Sequence, residues 1–212
     1  MVNKYLYRGD SDKNSVRNLR TTAPHGYLMT NLNNGGNGRI INEQPLIDLI
    51  DQHVVEGWNT THFLSFSEDE STAFCFGMNS LDCSPEERER YIDISWNENW
   101  DFVMTRISPA SLSLKEISNS VYIGTYKTLN PLYARLIPKS RLILVDVVNF
   151  LRNSEGFETA KSFSADEKEW LILPANRMQN IDGKEYSSIL EGGCIDDIKF
   201  YGRIENTIQH ML

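Results

Sequence analysis

Glu167 and Glu169 stand two residues apart, directly before the apolar run Trp170-Leu171-Ile172-Leu173 and the Pro174 that closes it. If that run is a strand, side chains two apart point the same way and the two carboxylates face one space. Like charges a few ångström apart resist joint ionisation, so one of the pair is driven to a raised pKa. Chains accept the cost of such a pair mostly where the carboxylates are put to use. A structural alternative stands beside it, in which Glu167 ends a polar turn and Glu169 is the solvent face of an edge strand.

Two other groups have suitable chemistry. Arg8 stands at the end of a short first strand predicted from Lys4-Tyr5-Leu6-Tyr7-Arg8-Gly9-Asp10, which the turn chemistry of Gly9-Asp10-Ser11-Asp12 should halt. Its planar fork of donors suits bidentate hydrogen bonding in a way that lysine cannot match. Ser65 and Ser67 lie on a strand read over 61–69, with Phe63, Ser65 and Ser67 on one face and Leu64 and Phe66 on the other. Ser67 with Glu68-Asp69-Glu70 then reads as the cap of a helix through Ala73-Phe74-Cys75-Phe76. Ser65 as a half-buried strand serine, and Ser67 as a plain N-cap, are the corresponding structural alternatives.

The elements that must position these groups follow from periodicity and turn chemistry. Residues 12–42 read as loop-rich, and 45–55 as a helix that starts at Pro45 and ends at Gly57. A polar helical start is predicted at 84–90, strands at 100–107 and 120–124, and a helical turn at 130–135. Residues 141–148 form the most hydrophobic stretch, a central strand or, with 149–152, a buried helix. Residues 153–166 read as a polar loop carrying an isolated Phe163, and 195–204 as a last strand.

Composition narrows the function. The 212 residues fit a single domain, 1–212, able to bury about 70% of its unfolded surface. A net charge of −8 disfavours a nucleic-acid partner, which calls for the opposite sign. The three cysteines lack metal-type spacing and their odd number argues against a disulfide framework, so a reducing compartment is expected. His25, His53, His62 and His210 show no metal pattern, and no metal is expected; His53 or His62 could line a cleft. No run reaches the roughly 20 apolar residues of a membrane span, and the first residues lack the apolar core of a signal peptide. A serine hydrolase would call for a Gly-x-Ser-x-Gly elbow, which is absent. Arg8-Gly9-Asp10 spells an adhesion tripeptide, which arises readily by chance.

An arginine ending the first strand, a serine pair entering a helix and a Glu-x-Glu pair form an ordered triplet. The triplet resembles the mono-ADP-ribosyltransferases of the Arg-Ser-Glu class, which includes cholera- and pertussis-like bacterial toxins. Tyr7-Arg8-Gly9-Asp10-Ser11 is similar to their arginine motif, Phe63-Leu64-Ser65-Phe66-Ser67 to their Ser-Thr-Ser motif with Phe66 in the middle, and Glu167-Lys168-Glu169 to their Glu-x-Glu motif. The chain departs from that group at Asp12-Lys13-Asn14, where a second arginine and prolines are common, and in the long stretch between Ser67 and Glu167.

The resemblance implies an α+β fold with two small, mainly antiparallel sheets, flanking helices and a central NAD cleft. It implies NAD as co-substrate, bound through Arg8, Asp10, Ser65, Ser67 and Glu169, and a target protein as acceptor, with arginine the first expectation for its side chain. Glu169 would hold the nicotinamide ribose and Ser65 would orient Glu169. Glu167 would serve the acceptor, and Phe163 would take the place of the aromatic in the substrate-recognition loop. Such a chain would be a secreted bacterial effector acting in a host or target-cell cytosol, with a chaperone or immunity protein as a further partner. The alternatives are an NAD glycohydrolase at the same site and a catalytically inactive binding module.

Overall fold

The apolar stretch at 141–146 becomes the interior of a sheet whose two faces are both covered. In the computed structural model, the residues described are 5–11, 40–56, 61, 63–78, 86, 102–107, 112–126, 141–173 and 177–187. Ten strands are described: β1 (Leu6–Ser11), β2 (Ile40–Asn42), β3 (Leu64–Ser67), β4 (Phe102–Ile107), β5 (Leu112–Ser118), β6 (Val121–Tyr126), β7 (Arg141–Asp146), β8 (Glu169–Leu173), β9 (Arg177–Ile181) and β10 (Lys184–Ser187). The helices are α1 (Leu46–Asp51), which runs on into a π-helical turn over Gln52–Glu56, α2 (Glu70–Met78), α3 (Val147–Leu151) and α4 (Glu158–Glu167). Seven strands form a sheet in the order β4-β1-β3-β8-β7-β6-β5, antiparallel at every pairing, and three more form a sheet in the order β10-β9-β2. The chain is thus a mixed α+β protein.

Side-chain alternation divides the large sheet's apolar residues into two clusters. Ile143, Val145, Leu171 and Leu173 pack with Leu49 and Ile50 of α1, Leu151 of α3, Ala160 of α4 and Phe63. Leu142, Leu144, Trp170 and Ile172 pack with Leu6, Leu64 and Phe66. Each buried aliphatic side chain contributes about 1.5–3 kcal/mol, so β7 and β8, apolar on both faces, anchor the fold. Ile181 of β9 lies in the first cluster, which ties the small sheet to the same core. Among the described residues no helix is long and apolar enough to cross a membrane.

Several sequence expectations are corrected. The first strand does not stop at Gly9-Asp10; it continues to Ser11, because β4 pairs with it along its whole length, from Leu6↔Ile107 to Ser11↔Phe102. Arg8 is therefore mid-strand. Gly9 serves close approach rather than a turn: a Cβ there would lie 2.1 Å from the Ala73 carbonyl oxygen of α2. That neighbour is backbone and cannot swing aside. Gly9→Ala is accordingly expected to lower stability by about 3 kcal/mol, the upper range for overpacking. Urea titration checks this, and an unchanged midpoint would mean that α2 does not press on β1.

The region 153–166 is not a loop but contains α4, whose buried stripe is as short as Ala160 and Ser164, one turn apart. Phe157 enters the helix with φ 62° and Lys168 leaves it with φ 50°, both left-handed. Phe163 is thus on a helix, 45% exposed. Asp182-Gly183, both at positive φ, turn the β9–β10 hairpin, which was not anticipated. Residues 40–42 are a strand within the expected loop. Cys75 is disulfide-bonded, against the expectation that the cysteines are free thiols. The expected elements at 84–85, 87–90, 130–135 and 195–204 lie outside the described residues.

Candidate active site

Strand register brings the serine and glutamate motifs together. Across the β3–β8 ladder Ser67 pairs with Glu169, Phe66 with Trp170 and Ser65 with Leu171. Pleating then puts the side chains of Ser65, Ser67 and Glu169 on one face, the face that carries Leu171 and Leu173. Glu169 is 3% exposed. Ser65 hydrogen-bonds to it, while its Oε2 has no hydrogen-bond partner among the described residues. Burial, then the charge of Glu167, push the Glu169 pKa up to about 8, and the Ser65 hydrogen bond works against that rise. Burial, then Asp166, push Glu167 up to about 7. Separation of carboxylate pKa values upward from the ordinary range marks a site candidate on physical grounds.

The two glutamates reach this relation by a route other than strand alternation. Glu167 is the last residue of α4, Lys168 turns the backbone with φ 50° and ψ 50°, and Glu169 opens β8. The pair therefore straddles a helix-to-strand elbow. Hydrogen bonds from the β3–α2 junction hold it: Ser67 Oγ donates to the Glu167 carbonyl at 2.6 Å, and the Glu68 amide donates to the Lys168 carbonyl at 3.2 Å. The Lys168 ammonium meets Asp69 Oδ2 at 3.1 Å, and Trp170 Nε1 donates to Glu68 Oε1 at 3.0 Å. Asp69 also accepts from the Thr72 amide at 3.1 Å, so Asp69 is the cap of α2. That amide, ahead of the Lys168 ammonium, holds the Asp69 carboxyl below its ordinary range. Ser67, expected as the cap, instead accepts from the Asp69 amide and fixes the elbow.

Arg8 joins the group through the backbone. β1 meets β3 at Tyr7↔Ser67, and Arg8 Nη1 donates to the Ser65 carbonyl at 3.0 Å. Strand parity places the Arg8 side chain with Leu6, on the side opposite Glu169, so this hydrogen bond ties it to the strand that carries Ser65 rather than to the carboxylate. Asp10 lies two residues along β1, opposite Val103. Phe163 stands one turn before Glu167 on α4, at the i, i+4 spacing that puts both on one helix face.

His53, expected from the sequence only as a residue that could line a cleft, puts its imidazole at the centre of the site. His53, in the π-helical turn, is 3% exposed, with its ring edge-on to Phe63 at 6.5 Å. Its Nε2 lies 2.7 Å from Ser65 Oγ and 4.0 Å from Glu169 Oε1, and its Nδ1 meets the hydroxyl of buried Thr61. The available signal was position: His53 extends the buried stripe Leu46, Leu49, Ile50, so a titratable ring falls on an apolar helix face.

No family model, curated protein or solved structure matches this chain. Its chemistry must be read from the geometry and from the motifs themselves. Among the described residues no group of three or more His, Cys, Asp and Glu could hold a metal ion. A cavity of about 330 Å³ opens by Pro45 and Leu46 at the start of α1, the end of that helix away from His53, and is lined by none of Arg8, His53, Ser65, Ser67, Glu167 and Glu169. The cluster of Ser65, His53 and Glu169 offers a carboxylate with a fixed donor on one oxygen and an unmet acceptor on the other, beside a second carboxylate on a rigid elbow. Such a set can accept a ligand hydroxyl, face a developing cation and handle a proton.

Proposed function

We propose that this chain is an NAD-dependent mono-ADP-ribosyltransferase of the Arg-Ser-Glu class, on an ADP-ribosyltransferase-like fold, that transfers ADP-ribose to a side chain of a target protein. The observation that carries the reading is the buried, unmatched Oε2 of Glu169. A buried acceptor without a donor is costly, and a ribose hydroxyl is a donor that would satisfy it. Breaking the bond from ribose to nicotinamide builds an oxocarbenium-like cation, which ionised Glu169 would stabilise. Ser65 would keep Glu169 oriented and Ser67 the elbow, while Arg8, on the opposite face of the sheet, would brace the Ser65 carbonyl in place of the pyrophosphate contact that the motif implies. Glu167 would position or deprotonate the acceptor, with an arginine guanidinium the first candidate and Phe163 the aromatic that meets the target. An effector acting in a target cell's cytosol is the setting this activity implies.

A glycohydrolase, in which water replaces the acceptor, is the second reading. It is favoured by the electrostatic coupling of Glu167 to Glu169, which would let the two act as one unit on water.

Incubation of the protein with labelled NAD and a cell lysate tests the proposal by transfer of label to protein. The pH dependence adds a sharper expectation. Because only ionised Glu169 can stabilise the cation and its pKa is about 8, kcat/KM for NAD consumption should climb roughly tenfold per unit below that value and level off above it. A profile flat from pH 6 to 9 would remove Glu169 from the bond-breaking step.

A further inference from the structure

Thr61, His53, Ser65 and Glu169 form one chain of hydrogen bonds inside the protein. Thr61 is 2% exposed and His53 3% exposed, so both ends of the imidazole meet protein rather than water. The direction of the chain follows from what each group can do. Once pH exceeds about 8 Glu169 is ionised and only accepts, so in that state Ser65 must spend its one proton on Glu169. Ser65 Oγ then has only lone pairs left for His53 Nε2, 2.7 Å away, and Nε2 must carry the ring proton. In a neutral imidazole with that tautomer, Nδ1 is an acceptor, and the Thr61 hydroxyl donates to it.

We infer that Thr61 is a positioning residue: by donating to Nδ1 it holds His53 in the Nε2–H tautomer, and so keeps the Ser65 proton directed at Glu169. The opposite polarity shows what is at stake. If Thr61 accepted instead, Nδ1 would hold the ring proton and Nε2 would claim the Ser65 hydroxyl. Glu169 would then lose its one described donor while still buried. Other charged groups bear on the chain from their own elements: Glu167 at the end of α4 raises the Glu169 pKa, and Arg8 in β1 pins the Ser65 carbonyl. With its backbone pinned, Ser65 retains rotation of its hydroxyl, and the ring tautomer decides where that hydroxyl points. Metal-site ligands show the same logic, in which the partner of one ring nitrogen sets the role of the other.

The significance of Thr61 for turnover rests on the proposed reaction, whereas the hydrogen-bond polarity can be measured without it. The full chain, labelled at histidine ring nitrogens and glutamate carboxyl carbons, is titrated by NMR from pH 5 to 10, and NAD consumption is followed across the same range. Once Glu169 is ionised, His53 is expected to carry its proton on Nε2 with Nδ1 hydrogen-bonded. Thr61→Val should give a mixture of tautomers and move the Glu169 midpoint, and with it the pH–kcat/KM profile, up by about half to one pH unit. Thr61→Ser, which restores a hydroxyl, should return all of these. Wild-type His53 protonated on Nδ1 beside an ionised Glu169 would overturn the inference with no variant needed, and so would a folded Thr61→Val whose tautomer and Glu169 titration match the wild type. If the NMR results hold but NAD is not consumed, the relay stands and the proposed reaction is what fails.

Discussion

Glu169→Gln is expected to abolish NAD chemistry and to stabilise the fold at alkaline pH. The amide keeps the shape but cannot carry the charge that faces a developing ribosyl cation. Losing one preorganised electrostatic group of this kind costs on the order of 100- to 1000-fold in kcat. Stability should move the other way. The folded pKa of Glu169, about 8, lies above its ordinary value of 4.5. The wild type therefore enjoys the full benefit of a neutral buried carboxyl below pH 4.5 and loses it as pH rises through 8. The amide never ionises, so the variant's stability relative to wild type should grow between pH 5 and 8 and then level off. At pH 8 to 9 the gain should be roughly 1–3 kcal/mol, after the cost of burying an amide N–H₂ group where Oε2 had no donor. Urea titrations at pH 5 and 9, together with turnover, check both halves. A variant that turns over normally would remove the catalytic assignment, and one that loses stability as pH rises would contradict the burial account.

Glu167→Gln is expected to separate two activities. If Glu167 serves the acceptor and Glu169 the ribose, transfer of label to protein should fall by 100-fold or more, the usual worth of a positioned general base. Release of nicotinamide into water should continue and quicken at neutral pH, since the neighbouring charge that raises the Glu169 pKa is gone. Glu167 sits at the C-terminal end of α4, where the helix dipole already disfavours a negative charge, so the substitution should not harm folding. Parallel loss of both activities in a folded variant would put the glycohydrolase reading first.

The sequence made the strands of the site legible and concealed its joints. Alternation at 63–67 divided Phe63 and the serines from Leu64 and Phe66 as the structure does, and the run at 170–173 read as a strand, whereas 141–148 read equally as a strand or a buried helix until pairing with β6 and β8 decides it. The Glu-x-Glu spacing reads as strand alternation because no local rule flags a left-handed lysine; the Ser67, Glu68 and Asp69 contacts fix Lys168 there. α4 stayed hidden because a helix that buries little more than Ala160 and Ser164 has almost no apolar stripe. Asp182-Gly183 was legible turn chemistry that went unused. His53 and Thr61 could not be paired in advance, since a hydrogen bond between them depends on how a π-helical turn rotates the ring.

β8 enters the large sheet between β3 and β7, so two groups of strands, β4-β1-β3 and β7-β6-β5, share no ladder until it arrives. It is also, in chain order, the last of that sheet's described strands to be synthesised, more than a hundred residues after the β3 it pairs with. Long-range pairing of this kind forms slowly, and domains fold as their chains emerge. The strand that closes the sheet is the one that opens with Glu169. A nascent or truncated chain lacking it holds neither a joined sheet nor the carboxylate, so competence for chemistry would be gained in the same late step that completes folding.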